Sequence, residues 1–231
     1  MADAARVLAV CGMPFEAAIA DGPGVVCIHG PGPWRVAQRL HAMLDGDGCW
    51  GGIISFGCAG GLDPELASGD CVVATSVLTP DGVIATDPDW SRVLLDRVTG
   101  ARPGLLAGTD APLATAAAKA ALWREAGAIA VDMETHAAAL AARRHGLPFA
   151  ACRVVLDPAW RNVPAAALAG LDVGGVWPVL RSLAGAPGQI VPLCVLAGEA
   201  WVARRSLLRV RARLGPALGR YLVTSSLPPS F

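Results

Sequence analysis

"AIAVDMETHAAALAARRHGLPFAACRVVLD", residues 128–157, falls into three parts. An apolar run over 128–133 has the length of a buried strand. Residues 134–145 are rich in alanine and follow helical spacing, Gly146 stands where a C′ glycine ends a helix, and Pro148 just beyond stops its continuation. A second apolar run, 149–156, then ends on Asp157. Strand, helix and strand in close succession are the unit from which layered α/β folds are made.

The alternation continues in the N-terminal direction. Further strands are expected over 6–12, 24–30, 52–58 and 70–78, and helices over 33–45, 89–98 and 112–126, with two more near 174–184 and 196–214. The expectation is an α/β protein, a single-domain three-layer α/β/α fold with a mixed central sheet spanning residues 1–231. A chain of 231 residues that is 54% hydrophobic can fill one such core. Only 16% of residues are charged, and Lys+Arg and Asp+Glu both number 19. No net field draws the chain to nucleic acid, so no nucleic-acid partner is expected.

The start, "MADAARVLAVCGM", has neither the basic nor the long apolar part of a signal peptide, and no uncharged apolar run reaches about 18 residues. A cytoplasmic protein without a spanning helix is expected. The seven cysteines are odd in number and scattered, with no Cys/His pair at metal spacing. Buried reduced thiols and no metal site follow.

Polar features stand at the ends of four of these strands. In "GIISFGCAGGLDPELASGD" (52–70), Gly57, Gly60 and Gly61 let backbone approach a ligand closely, although tight strand–loop packing explains them equally well. The spacing is neither that of a Walker loop nor that of a dinucleotide fingerprint. Glu134 stands at a helix N-terminus, where the alternative is a capping acid. Met133 reads as core and His136 as an ordinary helix histidine. Asp157 ends a strand, where open α/β sheets bind ligands, or else starts an Asx turn before Pro158. Glu16, in "AVCGMPFEAAIA" (9–20), follows the first strand or is a surface acid.

Taken together, "VLAVCGMPFEA" (7–17), "HGPGPWRVA" (29–37), "FGCAGGLDPELASGD" (56–70), "AIAVDMETHAAA" (128–139) and "PFAACRVVLD" (148–157) carry a resemblance. In order and near-spacing they resemble the purine nucleoside phosphorylase and methylthioadenosine/S-adenosylhomocysteine nucleosidase superfamily. "DMETH" with "CRVVLDPAWRNVP" is most similar to its hopanoid-associated phosphorylase branch. Members of that branch remove adenine from adenosylhopane, a triterpenoid lipid bearing an adenine nucleoside, in hopanoid biosynthesis.

The resemblance implies roles. Asp157 would be the general acid at N7 of adenine, its pKa raised by the apolar run before it. Glu134 would take the ribose hydroxyls, with Met133 beneath the sugar. Glu16 would orient and deprotonate the attacking water. Ala59, Gly60 and Gly61 of the central loop, with Phe56 and Leu113, would surround the base, and His136 would line the cavity. No cofactor is implied, save inorganic phosphate if the reaction is phosphorolytic. A homodimer is implied as the assembly.

Three departures qualify the match. Ser55 stands where phosphorolytic members carry an arginine, which favours hydrolysis, because serine cannot replace a bidentate cation for phosphate. Phosphorolysis stays as the alternative, with Arg35 and Arg161 as its positive charges. Leu156 replaces a serine that would hold the acid, which leaves open a binding protein without turnover. Pro112 and Leu113 stand where nucleosidases use an aromatic, which loosens the base specificity; a nucleosidase for a small purine nucleoside such as methylthioadenosine is a further alternative. Trp34, Trp90, Trp160, Trp177 and Trp201, with the arginines of the last helix, suit an apolar substrate tail and peripheral membrane contact. An ordinary core-packing helix with a solvated basic face explains that helix as well.

Overall fold

The computed structural model describes residues 5–30, 32–165, 167–168, 188 and 190–220. Within them the order is β1 (Arg6–Cys11), α1 (Pro14–Ala20), β2 (Val25–His29), α2 (Pro33–Leu44), β3 (Trp50–Gly61), β4 (Cys71–Thr79) and β5 (Gly82–Ala85). There follow α3 (Pro88–Arg97), β6 (Arg102–Gly108), α4 (Ala116–Ala126), β7 (Ala130–Asp132), α5 (Thr135–Arg144), β8 (Phe149–Asp157) and α6 (Ile190–Leu214). The expected helix near 174–184 lies outside the described residues. Four elements depart from the sequence expectation: α1, β5 and β6 form where no element was expected, and α4 starts at Ala116 rather than 112.

All strands join one mixed sheet. β1 pairs in parallel with β2 and β3, and β3 pairs in parallel with β8. β8 then pairs antiparallel with β4, β4 parallel with β6, β6 parallel with β7, and β7 antiparallel with β3. These five pairings close a ring, β3-β8-β4-β6-β7, from which β1 and β2 extend on one side and β5 on the other. β8 lies inside the sheet with both faces covered, which is why, apart from Arg153 and the terminal Asp157, its sequence is a continuous apolar run rather than alternating.

Helices cover both faces. One core, with Val7, Phe56, Trp90 and Cys152, is closed by Ile19 of α1, Leu94 of α3 and Leu207 of α6; the other, with Leu8, Ile53 and Ala151, is closed by Leu40 of α2 and Ala138 of α5. Mixed sheet and three layers agree with the expected fold class. Trp90 is 1% exposed and donates its indole N–H to the Leu218 carbonyl, so it is a core residue and not part of an apolar groove. Gly146, at φ 62°, adopts the left-handed conformation that ends α5. Cys49 and Cys194 are exposed, unlike Cys11, Cys58, Cys71 and Cys152.

Candidate active site

Glu16 sits at the third position of α1, a short helix entered through Pro14. From there its carboxylate reaches back to accept the backbone N–H groups of Gly12 (2.8 Å) and Met13 (2.9 Å), as the acid of a capping box does. Its other oxygen accepts from Cys58 N–H on β3 at 2.7 Å. Gly57 makes room for this: a methyl group there would lie 2.6 Å from the Glu16 carboxyl carbon. Burial raises the Glu16 pKa, and Arg153 with the three N–H donors opposes the rise.

Glu134 arrives from the opposite direction. β7 runs antiparallel to β3, with Val131 beside Gly60, so the chain leaving β7 turns back towards the end of β1. A methyl group on Gly12 would lie 2.9 Å from Glu134 Oε1. The Glu134 side chain caps nothing. Asp132 does that work, accepting Thr135 N–H at 2.9 Å and Glu134 N–H at 3.3 Å. Glu134 is thereby left available although it is buried.

Arg153 holds these acids together. It is fully buried in the middle of β8, with Nε 2.6 Å from Asp132 Oδ2 and Nη2 3.6 Å from Glu134 Oε2. It also donates to Ser55 Oγ at 2.5 Å and to the Cys58 carbonyl at 3.4 Å. Burial opposes its charge, but Asp132, Glu134 and Glu16 outweigh burial and hold the guanidinium protonated. Burial pushes Glu134 up to about 8, against the pull of Arg153, and Asp132 and Glu16 add to the rise. The two glutamates therefore differ in their donors: burial raises both, and three backbone N–H groups oppose the rise at Glu16 where one, from Met133, opposes it at Glu134.

Asp157 lies further along the same strand. It pairs with Gly60 after a register shift at Ala59/Gly60, which leaves Leu156 as the residue of a β-bulge; such bulges re-aim the residues beside them. A methyl group on Gly60 would lie 3.5 Å from Asp157 Oδ2. Gly57, beside Glu16, and Gly60, beside Asp157, are three positions apart on β3, so at about 3.3 Å per residue their backbones are about 10 Å apart along the strand. The Asp157 carboxylate contacts Lys119 Nζ of α4, which is fully buried. Burial raises the Asp157 pKa and Lys119 opposes that rise.

The other expected residues divide. Gly60 is half buried beside Asp157, Gly61 packs on Val155 and Pro158, and Met133 is half buried between β7 and α5. Leu113 packs beside Leu62 and Val131. Phe56 is 0% exposed in the core, because its turn of the strand alternation faces α1 and α6, and Ala59 is buried among Leu66, Val72 and Val155. His136 is not among the acids. Its Nε2 lies 3.1 Å from Asp110 Oδ1, and it lines an open groove of about 840 Å³ with Trp34, His41, Leu140 and Arg144. The sequence reading missed Arg153 and Lys119 as site residues. An arginine inside an otherwise apolar strand is a signal that could have found the first.

Residues 9–170 match the family model described as the Phosphorylase superfamily. The futalosine hydrolase of Streptomyces coelicolor is 35% identical over 157 residues, which are 56% of this chain and 66% of that protein, so this chain spans just under two thirds of that relative's length. A Helicobacter pylori 5′-methylthioadenosine/S-adenosylhomocysteine nucleosidase structure superposes with a TM-score of 0.65 at 16% identity, covering 91% of this chain and 99% of that one. The S-adenosylhomocysteine nucleosidase of Streptococcus pyogenes gives 0.65 at 17%, covering 94% and 99%, and the futalosine hydrolase of Helicobacter pylori 0.60 at 16%, covering 67% and 88%. At these identities the likeness of the structures is one of fold.

Proposed function

Because this chain belongs to the Phosphorylase superfamily, we propose that it hydrolyses the N-glycosidic bond of a purine nucleoside, and that its nucleoside is adenosylhopane, giving ribosylhopane and free adenine. The observation that carries this reading is the spacing of the acids. Glu16 and Glu134 gather on Arg153, and Asp157 stands beside Gly60, three positions along β3 from Gly57, an arrangement that suits the sugar and the base of one nucleoside. Asp157 gives a proton to the base as the bond breaks, Glu134 binds the ribose hydroxyls, and Glu16 takes a proton from the attacking water.

Hydrolysis is favoured over phosphorolysis by charge. Arg153 is already neutralised by Asp132, 2.6 Å away, and the Glu134 and Glu16 carboxyls face it as well. A phosphate dianion there would meet three carboxyls, and Ser55 brings no cation to offset them.

The lipid tail draws support from α6. Ile190, Val191, Trp201 and Val202 are exposed on it, Arg204 and Arg205 are exposed beside them, and the Arg205 guanidinium lies 4.9 Å from the Trp201 ring centre. An amphipathic, basic face of this kind suits the surface of an anionic bilayer. Under this reading the protein works in the cytoplasm as a homodimer in peripheral contact with membrane. No helix among the described residues is long and apolar enough to cross one.

The 35% identity to a futalosine hydrolase supports a second reading, a small purine nucleoside such as futalosine as the substrate. One assay separates the possibilities. The protein is incubated in phosphate-free buffer with adenosylhopane, futalosine or methylthioadenosine, and base release is followed by chromatography. Adenine from adenosylhopane at a kcat/KM well above the other two is expected. Release that waits for added phosphate would overturn hydrolysis, and a preference for futalosine or methylthioadenosine would overturn the lipid substrate.

A further inference from the structure

α4 is an alanine-rich helix whose residues around Lys119 are mostly exposed, yet Lys119 itself is turned inward and is 0% exposed. An ammonium in that position is costly unless it is fully partnered. Its partners are all on the segment that carries the candidate acid: the Asp157 carboxylate, and the carbonyls of Pro158 (3.0 Å), Arg161 (3.2 Å) and Asp157 (3.4 Å). Two further bonds tie the same segment to the start of α4, from Ala116 N–H to Asn162 Oδ1 at 2.7 Å and from Val163 N–H to the Ala114 carbonyl at 2.8 Å. Lys119 takes Asp157 Oδ2, and the further hydrogen bond to this carboxyl comes from the N–H of Asp157 itself. One oxygen is thus held by an ammonium that the other does not meet.

We propose that Lys119 is the positioning residue of Asp157, fixing Oδ2 so that the proton leaves from Oδ1, and stabilising the carboxylate that remains once the base has taken that proton. The inference rests on the reading of Asp157 as general acid. As the glycosidic bond breaks, its electron pair goes to the base and the proton moves from Oδ1 to a ring nitrogen. The negative charge that appears on Asp157 then faces an ammonium already in contact, so no group has to reorganise to meet it. Lys119 also makes Asp157 a stronger acid than burial alone would allow. The other charged or titratable groups near Asp157 are Glu199 of α6, whose charge is met by Arg161 Nε (2.9 Å) and Nη2 (2.7 Å), and the Cys58 thiol of β3.

A purely structural lysine would lower stability and leave the pH profile where it was. The experiment therefore compares wild type, Lys119→Met and Lys119→Gln in two measurements, the alkaline limb of kcat/KM against pH and the ¹³C titration of the Asp157 carboxyl without substrate. Loss of the ammonium is expected to move both upward by about 1 pH unit or more in either variant. At a fixed alkaline pH that is about a tenfold larger protonated fraction, while the maximal kcat falls. Lys119→Gln keeps a donor for the carbonyls and serves if the methionine variant does not fold. A folded variant of an active enzyme whose limb and titration both stay put overturns the proposal. An inactive wild type instead overturns the functional reading, and the titration then still reports whether Lys119 sets the acid strength of Asp157.

Discussion

Glu16 and Gly57 share one space: a methyl group on Gly57 would lie 2.6 Å from the Glu16 carboxyl carbon and 2.7 Å from Arg153 Nη1. Neither neighbour can yield, because Glu16 is held by three backbone N–H groups and Arg153 by Asp132 and Ser55. Gly57→Ala is therefore expected to displace the proposed base by about 1 Å, the shortfall of a 2.6 Å contact from ordinary van der Waals distance. Misplacement on that scale costs about 10²-fold in turnover. Steady-state base release, with a circular dichroism spectrum to show that the variant folds, checks this.

Glu16→Gln removes the proton acceptor and keeps the shape. Loss of general-base help predicts a kcat lower by about 10²–10⁴-fold with little change in KM. An amide has one acceptor oxygen where the carboxylate has two, so either Cys58 N–H or the Gly12 and Met13 pair loses its partner. A stability cost of about 1–3 kcal/mol follows, measurable by urea denaturation.

The pH dependence of stability isolates Glu134. Below the ordinary value of 4.5 its carboxyl is protonated in the folded and unfolded chain alike and adds no pH dependence. Between 4.5 and about 8 the folded chain holds the proton more tightly, so its contribution to stability is lost as pH rises and is gone above about 8. Glu134→Gln is expected to flatten the fall of Tm between pH 5 and pH 8.5 by several degrees, at the roughly 2–4 °C per kcal/mol of a chain this size. An identical slope in thermal melts of the two proteins would contradict the assignment.

Arg153→Gln leaves Asp132, Glu134 and Glu16 without their shared cation. Removing one side of a buried ion pair costs about 3–5 kcal/mol, so this variant is expected to be the least stable of the series. Adding Asp132→Asn removes one of the stranded charges. The double variant should recover part of the loss in denaturant titrations, which a cavity effect at Arg153 alone would not produce.

Glu16, Glu134 and Asp157 stand out in the sequence because each follows an apolar run at a strand end, although a surface acid, a capping acid or an Asx turn explains each of them singly. Arg153 was hidden by its setting: in "AACRVVL" the run is apolar enough to read as strand whatever the arginine does, and its partners lie in β3 and beyond β7, far away in sequence. Lys119 was hidden for the opposite reason, since a lysine on an alanine-rich helix looks solvated until the helix is docked. β6 escaped notice because "RPGLLAG" has the glycines and proline of a turn, and only pairing with β4 and β7 makes it a strand.

β7 is three residues long. At a free sheet edge so short a strand would fray, and whatever followed it would fray too. As a member of the closed ring it is held by β3 on one side and β6 on the other, so it cannot open unless the ring does. Its amides should accordingly exchange with solvent as slowly as those of the long strands, and Glu134, which follows it by two residues, inherits that slow clock. The acid proposed to bind the sugar is then as permanent a fixture as the core, and any gating of the site has to come from elements outside the ring.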